Sequence, residues 1–343
     1  MTANDLTSST SMQRGLTLIE IMIALVIGSV LIAGAGKIFI SSKRNVEAQL
    51  NLQQIQENAR YALDLISRDL RRAGYFGGLK NITAVEGTAA PLEADGKCPL
   101  GNAWGRMLAR PLFGLNDTNG EYACIPDSDY LRGDIVVTRY AHPAAVTGPL
   151  SDKQLYLRSN SSAGALFTGS ESDSNQVAEP SIVQKITARA YYIRPSTTLC
   201  PDGSVPPALW RETLDSNGRP AAEELVTGVE QLQLQYGVID FDPDDDMSSY
   251  GVSYRYLDAD SVTGSEWDAP FASASEWREW AELTSNSAVH STVLLARVWL
   301  LLRAACTEPL LTNRRTYAMG SHHYAVDDHF RRQLYSTTVQ LRN

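Results

Sequence analysis

Leu16 to Gly36 is an apolar run holding one charge, Glu20, and the next charge in the chain is Lys37. As a helix, at ~1.5 Å per residue, the run spans roughly 30 Å, which matches the hydrocarbon thickness of a bilayer. The pattern then becomes amphipathic. Ala48, Leu52, Ile55, Ala59, Ala62, Ile66, Leu70 and Ala73 recur every three or four positions, so they line one helical face that must pack on something. Arg60, Asp64 and Arg68 stand four apart on another face and can pair, and Arg71 and Arg72 complement the negative end of the helix dipole. Gly74 supplies the stop.

Beyond the helix, Leu79 to Asp129 is rich in Gly, Pro, Asn and Asp with little periodicity and predicts long loops. Short runs of β-formers follow: Asp134–Tyr140, Gln154–Arg158, and Ile182–Arg194, where Ala188, Ala190 and Tyr192 alternate against Thr187, Arg189 and Tyr191 as in a two-sided strand. Ser159 to Pro180 between them predicts a polar, mobile connection. Glu224–Ile239 is mostly period two, Val289–Ala304 suits a central strand, and Phe330–Leu341 alternates as a last strand. Two Ser-Glu-Trp repeats, at Ser265 and Ser275, fall between, the second able to open a short helix through Trp280 and Leu283. The expected fold class is therefore α+β: a long N-terminal helix, its first half spanning a membrane, packed on an antiparallel, sheet-rich domain. Three regions follow, residues 1–15, 16–74 and 75–343.

Net charge is −9, which argues against nucleic acid as a partner, because phosphate binding needs a basic surface. Cys98, Cys124, Cys200 and Cys306 all lie beyond the apolar run. An even count in an exported domain suggests two disulfides, for which three pairings exist. Cys98–Cys124 with Cys200–Cys306 is preferred, since the first two share one loop-rich segment and the others flank strand-like runs. No C-x-x-C spacing marks a zinc site. A secretory signal peptide is a poor account of the N-terminus: its charges are only Arg14 and Asp5, and the apolar core is too long.

A lone carboxylate in an apolar helix needs a partner. Cutting after Gly15 would provide one, the new amino group of Leu16 on a neighbouring copy. Arg14-Gly15 before Leu16-Thr17-Leu18-Ile19-Glu20 resembles the processing site of type IV pilins and type II secretion pseudopilins. The resemblance implies a leader up to Gly15, cleavage between Gly15 and Leu16 by a prepilin peptidase, N-methylation of Leu16, and use of Glu20 in subunit assembly. Leu16 stands where the family usually has Phe, and the run lacks the proline many pilins carry; both fit a minor subunit. Arg71-Arg72-Ala73-Gly74-Tyr75-Phe76-Gly77-Gly78, the run from Glu224 to Gly237, Val293–Val298 and the terminal Leu341-Arg342-Asn343 resemble PilW-type minor pilins. That implies a non-enzymatic subunit of the inner membrane, its domain in the periplasm, which joins other minor pilins and the major pilin, primes pilus assembly and sits at the tip with an adhesin. Charge bias alone would put the domain in the cytoplasm, because Lys37, Lys43 and Arg44 follow the span; the processing motif, being more specific, overrides it. The alternatives are a J-type pseudopilin of type II secretion and, from another class, a membrane-anchored periplasmic enzyme or metal sensor.

Two clusters could carry chemistry. Asp240, Asp242, Asp244, Asp245 and Asp246 could wrap a hard cation such as calcium, and Asp242-Pro243-Asp244-Asp245-Asp246 imitates the start of an EF-hand loop. Met247 then replaces its turn glycine and Ser253 its closing glutamate, so a solvated acidic turn is expected over calcium. His322, His323, Asp327, Asp328 and His329 lack ligand spacing and predict a polar hairpin tip. With no phosphate loop and no nucleophile elbow, no cofactor is expected.

Overall fold

The structure is a computed structural model that describes residues 17–79, 82–89, 91, 92, 98, 101–120, 122–241, 255–262 and 290–341. It divides into two compact units, Met1–Leu52 and Gln53–Asn343. The division falls inside one helix, α1, Leu18–Arg72, so the second half of that helix groups with the globular unit. The reason is the change in pattern: Leu18 to Ile40 exposes large apolar side chains on all sides, whereas Ile55, Ala59, Ala62, Ile66, Leu70 and Ala73 are buried. The buried stripe begins at Ile55; Ala48 and Leu52 are half-buried.

Sheet I is eight-stranded: β1 Val85–Glu86, β2 Leu112–Leu115, β3 Arg132–Ala145, β4 Leu155–Ser159, β5 Gly164–Thr168, β6 Ile182–Pro195, β7 Pro207–Leu214 and β8 Pro220–Thr227. β6 is its spine. β3 pairs along one side of it, β4 and then β7 along the other, all antiparallel; only the two-residue β1 runs parallel, to β5. The two faces of β6 part: Tyr191 and Ile193 join the core under the helix, while Ala188, Ala190 and Tyr192 join an aromatic cluster with Trp104, Tyr122 and Trp210.

Sheet II comprises β9 Val229–Phe241, β10 Arg255–Asp258, β11 His290–Arg303 and, after the hairpin β12 Asn313–Met319 and β13 His322–Asp328, β14 Arg332–Gln340, in the order β10-β9-β11-β14. The helix stripe packs with apolar residues of both sheets, among them Val229, Leu232, Leu234, Val298, Leu300 and Val339 of sheet II. The opposite face of sheet II, at Trp299 and Leu301, is covered by Tyr317 and Met319 of the hairpin.

Three expectations need correction. Glu224–Ile239 is not one strand. Gly228, at φ +89° and packed so that a Cβ would meet the carbonyl of Arg303 at 2.6 Å, breaks the run and passes the chain from sheet I to sheet II. Ser159–Pro180 is not a polar connection throughout: Gly164–Thr168 pairs with β4, and Leu166 and Phe167 are fully buried, a short apolar run masked by its Ser-rich flanks. The loop-rich segment also contains β2, likewise too short to show periodicity. The Ser265 and Ser275 repeats lie outside the described residues.

Candidate functional site

Gly15 and Leu16 lie outside the described residues; the helix they precede is well defined. Thr17 caps it. Its Oγ1 accepts from the Glu20 N–H at 3.3 Å, and its own N–H and Oγ1 both donate to Glu20 Oε2 at 2.9 Å. This is a capping box, which satisfies otherwise unpaired donors of the first turn. The sequence reading assigned Glu20 only an intermolecular partner; the Thr-x-x-Glu spacing was the available signal for an intramolecular one. One Glu20 oxygen carries both cap bonds, which leaves the other available to a cation. From Leu18 to Ile40 none of the large apolar side chains is covered by the unit itself, and the helix is long and apolar enough to cross a membrane.

The second half of the helix is locked to sheet I by a buried carboxylate. Asp69 is 1% exposed. It accepts from Arg189 Nη1 at 2.7 and 3.0 Å, from the Tyr140 hydroxyl at 2.8 Å and from the Tyr191 hydroxyl at 2.5 Å. Burial and the nearby Asp69 push the Tyr140 hydroxyl up to about 12 and Tyr191 higher still, so both remain donors. Arg189 is held charged by Asp69 and the tyrosines against the burial that opposes it. A buried ion pair persists only with further hydrogen bonds, which the tyrosines provide. Asp69 is a residue the sequence reading overlooked; it sits three after Ile66 and four before Ala73, a charge on the apolar stripe, and that position was the clue. Asp64 and Arg68 form the expected exposed pair at 2.6 Å.

Disulfides close the segments between strands. Cys98 joins Cys124 with a Cα separation of 5.4 Å, and Cys200 joins Cys306 with 5.7 Å, the second linking the loop after β6 to the loop after β11. Asp134 of β3 ties the sheets together: its carboxylate accepts from the Asp117 N–H at 3.0 Å and the Leu234 N–H at 2.6 Å. Arg332 donates to Glu230 and Asp328 and so fixes the hairpin to sheet II.

Among the described residues the metal candidates do not converge. Asp240 lies in β9, and Asp242, Asp244, Asp245 and Asp246 lie outside the described residues. His322, at the hairpin turn, pairs with Asp117 at 2.7 Å, while His323 and His329 meet the carbonyls of Ser321 and Leu311. Among the described residues no three His, Cys, Asp or Glu side chains form a ligand set.

Two family models match the chain at separate places. The prokaryotic N-terminal methylation motif matches residues 10–36, the stretch with the capped glutamate, and type IV pilus-assembly protein W matches residues 190–343, from the end of β6 through β14. Over these two stretches the chain is similar to type IV minor pilins of the PilW type. The two matches frame what lies between, the amphipathic half of the helix and most of sheet I. No curated protein matches the chain. Among solved structures, a type IV-like pilin from Thermus thermophilus aligns over 84% of this chain and 96% of its own, at 10% identity and a TM-score of 0.32. The apolar helix and the methylation motif fit a membrane-anchored pilin.

Proposed function

We propose that this minor pilin helps prime type IV pilus assembly and sits in a tip complex with other minor pilins, joined to the major pilin below it and presenting an adhesin. Before assembly the span from Leu18 to Gly36 holds it in the inner membrane with its domain in the periplasm. Prepilin peptidase cuts between Gly15 and Leu16, Leu16 is N-methylated, and the new amine meets Glu20 of a neighbouring subunit. The observation that supports this most is the helix from Leu18 to Ile40, apolar on every side yet carrying one carboxylate with an uncommitted oxygen. Such a surface requires lipid first and neighbouring helices afterwards.

The role is structural, without catalysis or cofactor. Deletion of the gene is expected to remove surface fibres and twitching while leaving protein secretion intact. Loss of secretion with fibres intact would instead assign the chain to type II secretion. Calorimetry of the full chain with Ca²⁺ and with Zn²⁺ is expected to give no binding heat; saturable heat from either would favour a metal sensor.

A further inference from the structure

The outer edges of the described sheets are protected in different ways, with one exception. β1 has two residues, and β2 and β10 four each. β8 carries Pro220, Glu223 and Glu224 and is irregular against β7. The hairpin carries Arg314, Arg315, Asp327 and Asp328 on its strands. Shortness, charge, proline and bulges are the devices that stop an edge from recruiting another strand.

β14 has none of them beyond Arg332 at its start, whose guanidinium is buried against Glu230 and Asp328. It pairs with β11 over nine consecutive positions, Leu295↔Gln340 to Arg303↔Arg332, with no shift in register. From Gln333 to Gln340 it contains no charge and no proline. The Leu341 N–H donates to the Leu294 carbonyl at 2.8 Å and the Arg331 carbonyl accepts from Ala304. In an antiparallel pair such bonds alternate along the strand, so the odd-numbered residues bond β11 and Leu334, Ser336, Thr338 and Gln340 turn their N–H and C=O groups away from it. Among the described residues no strand pairs with that side. Val339 and Leu341 are buried in the core beneath the helix, so the edge is held on a rigid frame.

We infer that the open side of β14 receives an extended, uncharged segment of a different fibre subunit, which adds a strand to sheet II. Main-chain hydrogen bonds to Leu334, Ser336, Thr338 and Gln340 supply the affinity, as in other strand additions. A second copy of this chain is disfavoured because each carries a net charge of −9 and two would repel. The inference rests on the fibre role proposed above.

The test uses the full chain in a deletion strain. Thr338→Pro removes an outward N–H without touching a β11 bond, a position where an edge strand tolerates proline; Thr338→Lys keeps the backbone and adds the charge that guards natural edges. Both variants are expected to accumulate in the membrane with the Cys200–Cys306 disulfide oxidised, yet to yield fewer sheared surface fibres by about tenfold or more. Thr338→Val should support fibres as the parent does. If deletion itself leaves fibres intact, the fibre role falls and the inference with it. If deletion abolishes fibres and both Thr338→Pro and Thr338→Lys restore them, the fibre role stands and the open edge is overturned. A Ser336→Cys chain that becomes disulfide-linked to itself within fibres would likewise overturn the choice of a different subunit.

Discussion

Removing the Asp69 carboxylate would leave Arg189 buried beside the helix with no anion and strip the acceptor from two tyrosine hydroxyls. Breaking a buried pair from one side costs about 3–5 kcal/mol. Asp69→Ala is therefore expected to lower the melting temperature sharply, whereas Asp64→Ala, whose Arg68 partner is half-exposed, should change stability by less than about 1 kcal/mol. Glu20 allows a finer separation, because Gln at the same place can still complete the capping box but cannot pair with an ammonium group. Glu20→Gln is expected to insert and be cleaved normally and to fail at fibre incorporation. Incorporation at the parent level would reduce Glu20 to a cap. Asp134 and Glu212 govern pH response. Burial pushes Asp134 up to about 8, against the two N–H groups that pull it down, and Glu212 up to about 7, against Arg194. Between about pH 4 and pH 8 the folded chain keeps protons that the unfolded chain has released, so stability falls as pH rises through that window. A melting series should show this, and Asp134→Asn should flatten it. The same change costs about 1–3 kcal/mol at every pH, since the amide accepts only one of the two N–H groups.

Among the elements, the disulfides should rank by the loops they close. Cys200–Cys306 spans a sequence separation of 106 and Cys98–Cys124 one of 26; chain entropy assigns about 4.7 kcal/mol to a loop of ~100 residues and about 3 to one of ~15. Replacing both cysteines of the longer bridge by serine is expected to lower the melting temperature more than replacing those of the shorter one. The helix, β11, β14 and the two-sided β6 could be read from sequence because each keeps its pattern over many residues. Gly228 shows where reading stops: within a run of alternating apolar residues one glycine changes the sheet, and only the nearby Arg303 carbonyl, 75 residues later, reveals why. β2 and β5 are too short for any period to emerge. Asp69 and Asp134 were legible only as charges in apolar surroundings, since their partners, Arg189 and Leu234, are more than 90 residues away in sequence.

For the whole molecule, the apolar helix and the globular unit make separate demands, which the proposed cleavage would reconcile. The apolar helix from Leu18 to Ile40 is stable in lipid without help, because its backbone is satisfied internally, so nothing in the span itself drives departure from the membrane. On the proposed processing, the driving element is polar and exists only once the leader has gone: an amine on Leu16, facing the uncommitted oxygen of a neighbour's Glu20. Mass spectrometry of the chain recovered from fibres is expected to find its N-terminus at a methylated Leu16. In a strain lacking prepilin peptidase, the chain should remain in the inner membrane, begin ahead of Gly15 and be absent from sheared fibres, while its two disulfides form as usual, because the domain from Gln53 onward is a compact unit of its own. An uncleaved chain recovered from fibres in normal amounts would show that the carboxylate finds its cation elsewhere.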